Sequence, residues 1–281
     1  MKYLSFGEIL IDEINGETHA GGAAFNFSAH LAKLGNQVTL ISALGNDEKG
    51  KFLLKTCKKY GIDTSYLKKY KSRDTGLSIV KTDEDGVPEF TIKENVAWDN
   101  IILNNDKIEA LKVAEFDCFY FGSLAIRSAV SRKTLVDLTE KIKIEKFCDL
   151  NLRKGNFDNE VINLSLDLAD YLKVNNDELE IISSIYCPLV KDREKKCKEI
   201  MKRFDLELLI ITLGADGCMA FYQDKKVRVP GIGIRVIDTV GAGDAFSASF
   251  LDSFLVYYNL EKACLVANEY ASKIASQAGA I

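Results

Sequence analysis

Asp238-Thr239-Val240-Gly241-Ala242-Gly243-Asp244, followed at once by Ala245-Phe246-Ser247-Ala248-Ser249-Phe250-Leu251, is the stretch around which this chain is organised. Two glycines flank an alanine, an aspartate stands on each side, and small and apolar residues at helical spacing follow. The pattern predicts a tight loop opening onto a buried helix. Gly241 and Gly243 let consecutive amide N–H groups converge on one point at the helix start. Such a point attracts anions, because the first N–H groups of a helix have no internal acceptor and the helix dipole adds positive potential. Asp244, a carboxylate set where an anion should bind, has two readings. It is a helix cap, accepting from amides two or three residues on, or a general base that takes a proton from a hydroxyl while the amides hold the phosphoryl group.

Composition narrows the field. The chain has 281 residues, enough for one large α/β domain or two small domains with a sizeable core, and its 47% hydrophobic and 28% charged residues, 3 prolines and 19 glycines are those of an ordinary globular protein. Its 37 Lys and Arg against 41 Asp and Glu leave a formal charge of −4, which disfavours nucleic acid and anionic membranes as partners. No leader pattern opens the sequence and no apolar run approaches the ~20 residues that span a bilayer, so a cytoplasmic protein is expected. The 7 cysteines form no C-x-x-C pair and have no nearby histidine, which predicts reduced, buried thiols. With only 2 histidines, His-based catalysis has little to draw on.

Outward from the glycine loop, strand and helix patterns alternate. Tyr3–Ile14 predicts a buried strand, with Glu8 and Asp12 as water-facing residues by default. Gly21-Gly22 turns into a helix that carries Asn26 and ends at Gly35; Gln37–Ala43 is a strand, and Asn46 is the expected cap of a helix through Tyr60. Gly76–Lys81 and Val87–Ile92, with Asp83-Glu84-Asp85-Gly86 between, predict a hairpin that interrupts the βα rhythm, hence a small appended sheet or flap. Trp98, the only tryptophan, is more often packing than ligand on composition alone. Strands are expected at 116–123 and 145–150, a helix at about 128–143, and Tyr171–Val174 is a strand turning at Asn175 into a helix. Lys191–Lys198 is a solvated helical face. Leu208–Thr212 is a strand, a hairpin turns at Gln223-Asp224, and helices cover about 243–258 and 261–276. The alternation predicts a mainly parallel sheet with helices on both faces, and the polar candidates fall at strand C-termini, the edge where such sheets bind ligands.

Four patches match one family in order over nearly the whole chain. Gly21-Gly22-Ala23-Ala24-Phe25-Asn26 resembles the N-terminal diglycine signature of the ribokinase-like, or PfkB-type, carbohydrate kinases, and Asp238–Asp244 with Ala245-Phe246 resembles their C-terminal one. Asn175-x-x-Glu178 and Thr212-Leu213-Gly214-Ala215-x-Gly217 lie between. Gly7-Glu8-x-x-x-Asp12, Ala97-Trp98-Asp99-Asn100, the stretch from Phe121 to Ser128 and Asp149-x-Asn151-x-Arg153 look most like the fructokinase branch.

The resemblance implies a three-layer α/β/α sandwich spanning 1–281 as one domain, with a mainly parallel central sheet and a small β lid around 12–20 and 75–98. It implies transfer of the ATP γ-phosphate to a primary hydroxyl of a monosaccharide, fructose first. Asp244 would be the base and the amides of Gly241, Ala242 and Gly243 the anion hole. Asp12, Gly21, Gly22, Asn26, Trp98 and Arg153 would hold the sugar. Thr212, Gly214 and Gly217 would line the nucleotide, with Asn268 near the adenine. Glu178, with Asn175, would organise Mg²⁺ and its waters, and Asp238 would help hold a monovalent cation, K⁺. The expected partners are a small sugar, ATP and a second copy of the chain in a homodimer. No Walker-type motif is present, and this family uses none.

Other readings stay open. Ribose, a 2-keto-3-deoxy sugar acid and a nucleoside are alternative substrates; a sugar acid would need cationic partners, for which only Arg153 and Arg127 offer themselves. A catalytically silent sensor is disfavoured by Asp244, the loop glycines and Glu178 being present together. A NAD-dependent oxidoreductase would need Gly-x-Gly-x-x-Gly after the first strand, which Gly7-Glu8-Ile9 does not supply.

Overall fold

The structure, a computed structural model, describes residues 1–14, 16–82, 88–277 and 279–281. They form two compact units: residues 1–117 with 125–143, and residues 118–124 with 144–281.

In the first unit the elements run β1 (Lys2–Phe6), β2 (Leu10–Ile14), β3 (Glu17–Gly21), α1 (Ala23–Lys33), β4 (Gln37–Gly45), α2 (Glu48–Lys59), β5 (Leu67–Tyr70), β6 (Gly76–Thr82), β7 (Pro88–Ile92), a 3₁₀ turn at Ala97–Asn100, α3 (Asn105–Lys112) and α4 (Ala129–Lys141). The strand expected over Tyr3–Ile14 is two strands. β1 pairs in parallel with β4, which pairs in parallel with β5. β2 leaves that ladder for a second sheet ordered β3-β2-β6-β7, antiparallel at its outer pairs and parallel between β2 and β6. The break falls at Gly7, where a Cβ would lie 2.7 Å from the Ala24 Cβ. Strands β6 and β7 bear out the expected hairpin; its Asp83-Glu84-Asp85-Gly86 turn lies outside the described residues. Every residue of α1 from Ala23 to Leu31 is buried, the polar Asn26, Ser28 and His30 included.

Helix α2 starts one residue later than expected. Asp47, not Asn46, is its cap, accepting from the Gly50 N–H at 2.7 Å, and the same carboxylate accepts from the Thr75 N–H and hydroxyl at 2.8 and 2.6 Å. β5 and α3 are elements that the sequence pattern did not announce.

The second unit contains β8 (Cys118–Gly122), β9 (Lys146–Asp149), α5 (Asn159–Leu168), β10 (Tyr171–Asn175), α6 (Asn176–Tyr186), α7 (Arg193–Phe204), β11 (Leu208–Thr212), β12 (Cys218–Tyr222), β13 (Lys225–Val229), α8 (Ala242–Tyr257) and α9 (Leu260–Ala275). Its strands lie in the order β13-β12-β11-β10-β9-β8, parallel from β8 to β11 and antiparallel at β12 and β13. Registers Lys173 opposite Asp149 and Asn175 opposite Thr212 bring the C-terminal ends of β9, β10 and β11 to one edge.

Helix α8 anchors this unit through residues four apart. Phe246, Phe250 and Phe254 stack along it with ring centroids 6.1 and 5.8 Å apart, and Phe254 meets the edges of Tyr171 and Tyr222 at 6.0 and 5.0 Å. The seven cysteines are buried and unbridged, as their spacing suggested. Among the described residues no helix is long and apolar enough to cross a membrane.

Candidate active site

In the second unit the Gly-Ala-Gly-Asp loop forms the first turn of α8. Gly241 is the helix cap, with φ 77° and no side-chain capping bond. A Cβ there would sit 2.6 Å from the Ala280 carbonyl oxygen, so both backbone conformation and space reserve the position for glycine. Asp244 is therefore the third helical residue, one turn past the cap, and its capping reading fails. It is buried, and its charge helps to hold the Lys173 ammonium above its ordinary value. The Ala242 N–H donates to the Thr239 carbonyl at 3.2 Å. Among the described residues, the Gly241 and Gly243 N–H groups have no backbone acceptor. Asp238 is tied down on both oxygens, by the Val240 N–H at 2.9 Å and the Gly279 N–H at 3.1 Å.

Asn175 and Glu178 form a capping box at the start of α6. The Asn175 Oδ1 accepts from the Glu178 N–H at 2.9 Å, and the Glu178 Oε2 accepts from the Asn175 N–H at 2.8 Å. The other Glu178 oxygen accepts from the Leu152 N–H at 2.8 Å. Burial raises the Glu178 carboxyl above its ordinary value, while Lys173 pulls the other way. Among the described residues no three acidic, His or Cys side chains converge to hold a metal. Glu178 still fits Mg²⁺ through water: each oxygen carries one backbone N–H and keeps a lone pair for a metal-bound water.

Beside this edge lies a cavity of about 530 Å³ lined by Asn175, Thr212, Gly214, Gly217, Gly243 and Asn268, with Leu213, Ile232, Ile234, Val236 and Phe246 supplying apolar wall. Five positions drawn from three separate sequence motifs thus line one cavity, joined by Asn268 from α9. The Asn268 amide donates to the Pro230 carbonyl at 3.2 Å. Arg153 lies in the segment after β9 and is half-buried.

In the first unit, Asp12 and Gly21 lie against each other across β2 and β3. A Cβ on Gly21 would fall 1.8 Å from the Asp12 Oδ2, so that carboxylate occupies the space above the glycine backbone. At Gly22 a Cβ would meet the Glu8 carbonyl oxygen at 2.6 Å. Asp12 and Glu8 are both buried, correcting their default placement facing water. Glu8 Oε1 accepts from the Ala23 N–H at 2.9 Å, doing for α1 what its glycine cap cannot. Asn26, buried, stands on the first turn of that helix.

Trp98 is fully buried, and its indole nitrogen has no acceptor among the described residues. The Arg127 guanidinium lies 4.2 Å from its ring centroid and donates to Asp99 through Nε at 2.9 Å and Nη2 at 3.0 Å, and to the Lys93 carbonyl at 2.7 Å.

Three residues of the second unit received no role of their own in the sequence reading: Lys173, Asp149 and Ser247. The Lys173 Nζ lies 3.0 and 3.2 Å from the Asp149 oxygens, and the Ser247 hydroxyl donates to Asp149 Oδ2 at 2.7 Å. The available signal was a lysine inside the apolar run Tyr171-Leu172-Lys173-Val174, since an interior strand buries a charge only with a partner.

The chain is similar to several known proteins. A sugar kinase of Pyrococcus horikoshii is 31% identical over 279 residues, covering 92% of this chain and 84% of that protein. Its solved structure in complex with ATP has a TM-score of 0.82 at 28% identity, covering 99% of this chain and 93% of the other. Fructokinase-2 of Oryza sativa subsp. japonica is 29% identical over 289 residues, covering 92% of this chain and 82% of its own. Aminoimidazole riboside kinase of Salmonella enterica, 23% identical, shares the fold at a TM-score of 0.84, covering 100% of this chain and 95% of the other. The architecture is the ribokinase-like α/β fold, with a mainly parallel central sheet and a small second sheet. The pfkB family carbohydrate kinase model matches residues 2–281, and the chain belongs to that family.

Proposed function

We propose that this sugar kinase transfers the γ-phosphate of ATP to a primary hydroxyl of a neutral monosaccharide, fructose foremost. The observation that carries the choice of a neutral sugar is the state of Arg127. A sugar acid needs a cation for its carboxylate, and Arg127 is spent on Asp99, the Lys93 carbonyl and the Trp98 ring, which leaves Arg153 alone of the two arginines the sequence offered. The likeness to a plant fructokinase, 29% identical, supports fructose within that class.

The roles divide by unit. Asp12, Asn26 and the backbone of Gly21 and Gly22 suit a polyol: a carboxylate and an amide to accept and donate, and glycines that admit a hydroxyl close to the chain. In the second unit, Asp244 takes the proton of the accepting hydroxyl, and the Gly241 and Gly243 amides, at the positive end of α8, hold the transferred phosphoryl group. Phosphoryl transfer is chiefly positioning and charge stabilisation, and this arrangement supplies both. The 530 Å³ cavity, apolar on one side and reaching Gly243 at the other, suits adenosine with its phosphates toward the helix start. Mg²⁺, organised through waters on Glu178, would neutralise charge on the phosphates. Asp238, fixed by two backbone N–H groups, is the residue proposed to face K⁺.

A coupled ADP-release assay over fructose, ribose, 2-keto-3-deoxygluconate and a nucleoside tests this. Fructose is expected to give the highest kcat/KM. Preference for the acid would overturn the argument from Arg127, preference for the nucleoside the choice of fructose, and no turnover on any sugar the kinase reading itself.

A further inference from the structure

The strongest unassigned feature is a buried charge cluster beneath the first turn of α8. Lys173 and Asp149 form an ion pair whose side chains are 7% and 1% exposed, on adjacent parallel strands. Two contacts join the pair to α8. The Ser247 hydroxyl donates to Asp149 Oδ2 at 2.7 Å from one turn beyond Gly243, whose carbonyl lies 3.0 Å from the same hydroxyl. The Lys173 ammonium also reaches the loop itself, 3.4 Å from where a Gly243 Cβ would stand. The lysine ammonium thus stands beside the space above Gly243 of the proposed anion hole, and its aspartate partner accepts from the helix that carries Asp244.

We propose that the Lys173–Asp149 pair, joined to α8 through Ser247, is a positioning unit for phosphoryl transfer: it fixes the first turn of the helix and supplies the positive charge that Asp244 faces. The proposal rests on Asp244 being the base. A carboxylate must be ionised to accept a proton, yet burial opposes ionisation, and a cation nearby offsets that penalty. Every charged group around the pair enters the balance. Burial would push the Lys173 ammonium down, but Asp149 from β9, Glu178 from α6 and Asp244 from α8 together hold it above its ordinary value. Cys148, next to Asp149, stays a neutral thiol because burial raises it. One buried lysine therefore serves three carboxylates and is charged whenever they are. Asp149, already committed to Lys173 and Ser247, acts as the anchor that keeps the ammonium under the loop.

The test is the pH dependence of kcat/KM for the sugar in Lys173→Met and Asp149→Asn. Taking away the cation should move the acid limb to higher pH by about one unit, and taking away the neighbouring anion should move it to lower pH. Glu178 feels the same two charges, so opposite displacements count for the base only where Glu178→Gln leaves the acid limb at its wild-type position; a loss of packing would lower the rate in both and move neither limb. Limbs that stay in place, or that move together, overturn the proposal.

Each substitution unpairs a buried charge and threatens folding, so Ser247→Ala supplies a second reading with both charges intact. It is expected to lower kcat by about tenfold, at the low end of what positioning contributes, with the KM for ATP and the position of the acid limb unchanged. A wild-type kcat in a folded Ser247→Ala protein would overturn the tether. Asp244→Asn separates this idea from the one beneath it. If that variant keeps its turnover, the base assignment has failed; if it is inactive while the limbs of the other variants stay put, only the positioning unit has failed.

Discussion

Gly21→Ala would place a methyl carbon 1.8 Å from the Asp12 Oδ2, well inside contact distance. The carboxylate must draw back by about 1.5 Å to restore van der Waals separation. Gly21 closes β3, opposite Leu10 in the register with β2, so the strand itself has little room to yield. If the Asp12 carboxylate binds a sugar hydroxyl, a displacement of that size takes it out of hydrogen-bond range, which ends near 3.2 Å. Losing a charge-assisted hydrogen bond costs about 1.5–3 kcal/mol, hence a rise of roughly ten- to hundredfold in the KM for the sugar, with the KM for ATP unchanged. Steady-state kinetics with the two substrates varied separately measure this. Asp12→Ala should give a similar rise, and the double variant should be no worse than the single ones, because all three remove one contact. A folded Gly21→Ala protein whose sugar KM changes less than threefold, or whose ATP KM rises equally, would refute the assignment of Asp12 to the sugar.

Asp244→Asn is expected to retain ATP binding and lose about 10²–10⁴-fold in kcat, as measured by single-turnover phosphorylation; half the wild-type rate or more would end its role as base. At the glycine loop, Gly241→Ala should lower Tm, since φ is 77° and Ala280 blocks the new Cβ, whereas Gly243→Ala meets only the Lys173 ammonium at 3.4 Å and should fold normally. An unchanged kcat in Gly243→Ala would then show that a methyl group there leaves the anion hole open. Asp47→Ala should destabilise the protein by at least the ~1 kcal/mol typical of a lost cap, read by denaturant unfolding, because Thr75 loses its acceptor as well. Burial pushes the Cys57 and Cys197 thiols up to about 12. Both should therefore stay thiols and resist alkylation in native protein at pH 8, and prompt modification detected by mass spectrometry would contradict their burial.

The elements legible from sequence were those whose cause is local. The glycine loop and the Asn175-x-x-Glu178 box are read within seven residues, and the structure places the first at the start of α8 and the second at the start of α6. Strands β8 and β11 announced themselves as apolar runs because both faces of a parallel strand are covered. What was missed depends on partners far along the chain. Lys173 meets Asp149 across 24 residues and Asp149 meets Ser247 across 98, so only the sheet register reveals them. Glu8 and Asp12 look like water-facing residues when the strand is read alone; their burial follows from β3 and α1 folding over them. Asp244 read within its loop alone looked more like a cap than a base, and the structure gives the cap to Gly241. Arg127 illustrates the reverse error, an arginine whose type suggests an anion site and whose neighbours have already claimed it.

The hydrogen bond from the Ala23 N–H to Glu8 separates two duties that most helix starts combine. Ordinarily the cap residue both closes the helix and stands at its mouth, so a change that tunes one disturbs the other. Here closure is delegated to a side chain 15 residues earlier, and the mouth is left to a glycine with no side chain at all. The diglycine signature can therefore vary in its neighbours as substrate preference drifts, with little consequence for whether α1 forms. Glu8 carries the opposite liability: a variant there should be noticed first in the yield of folded protein, and only afterwards in which sugar the enzyme prefers.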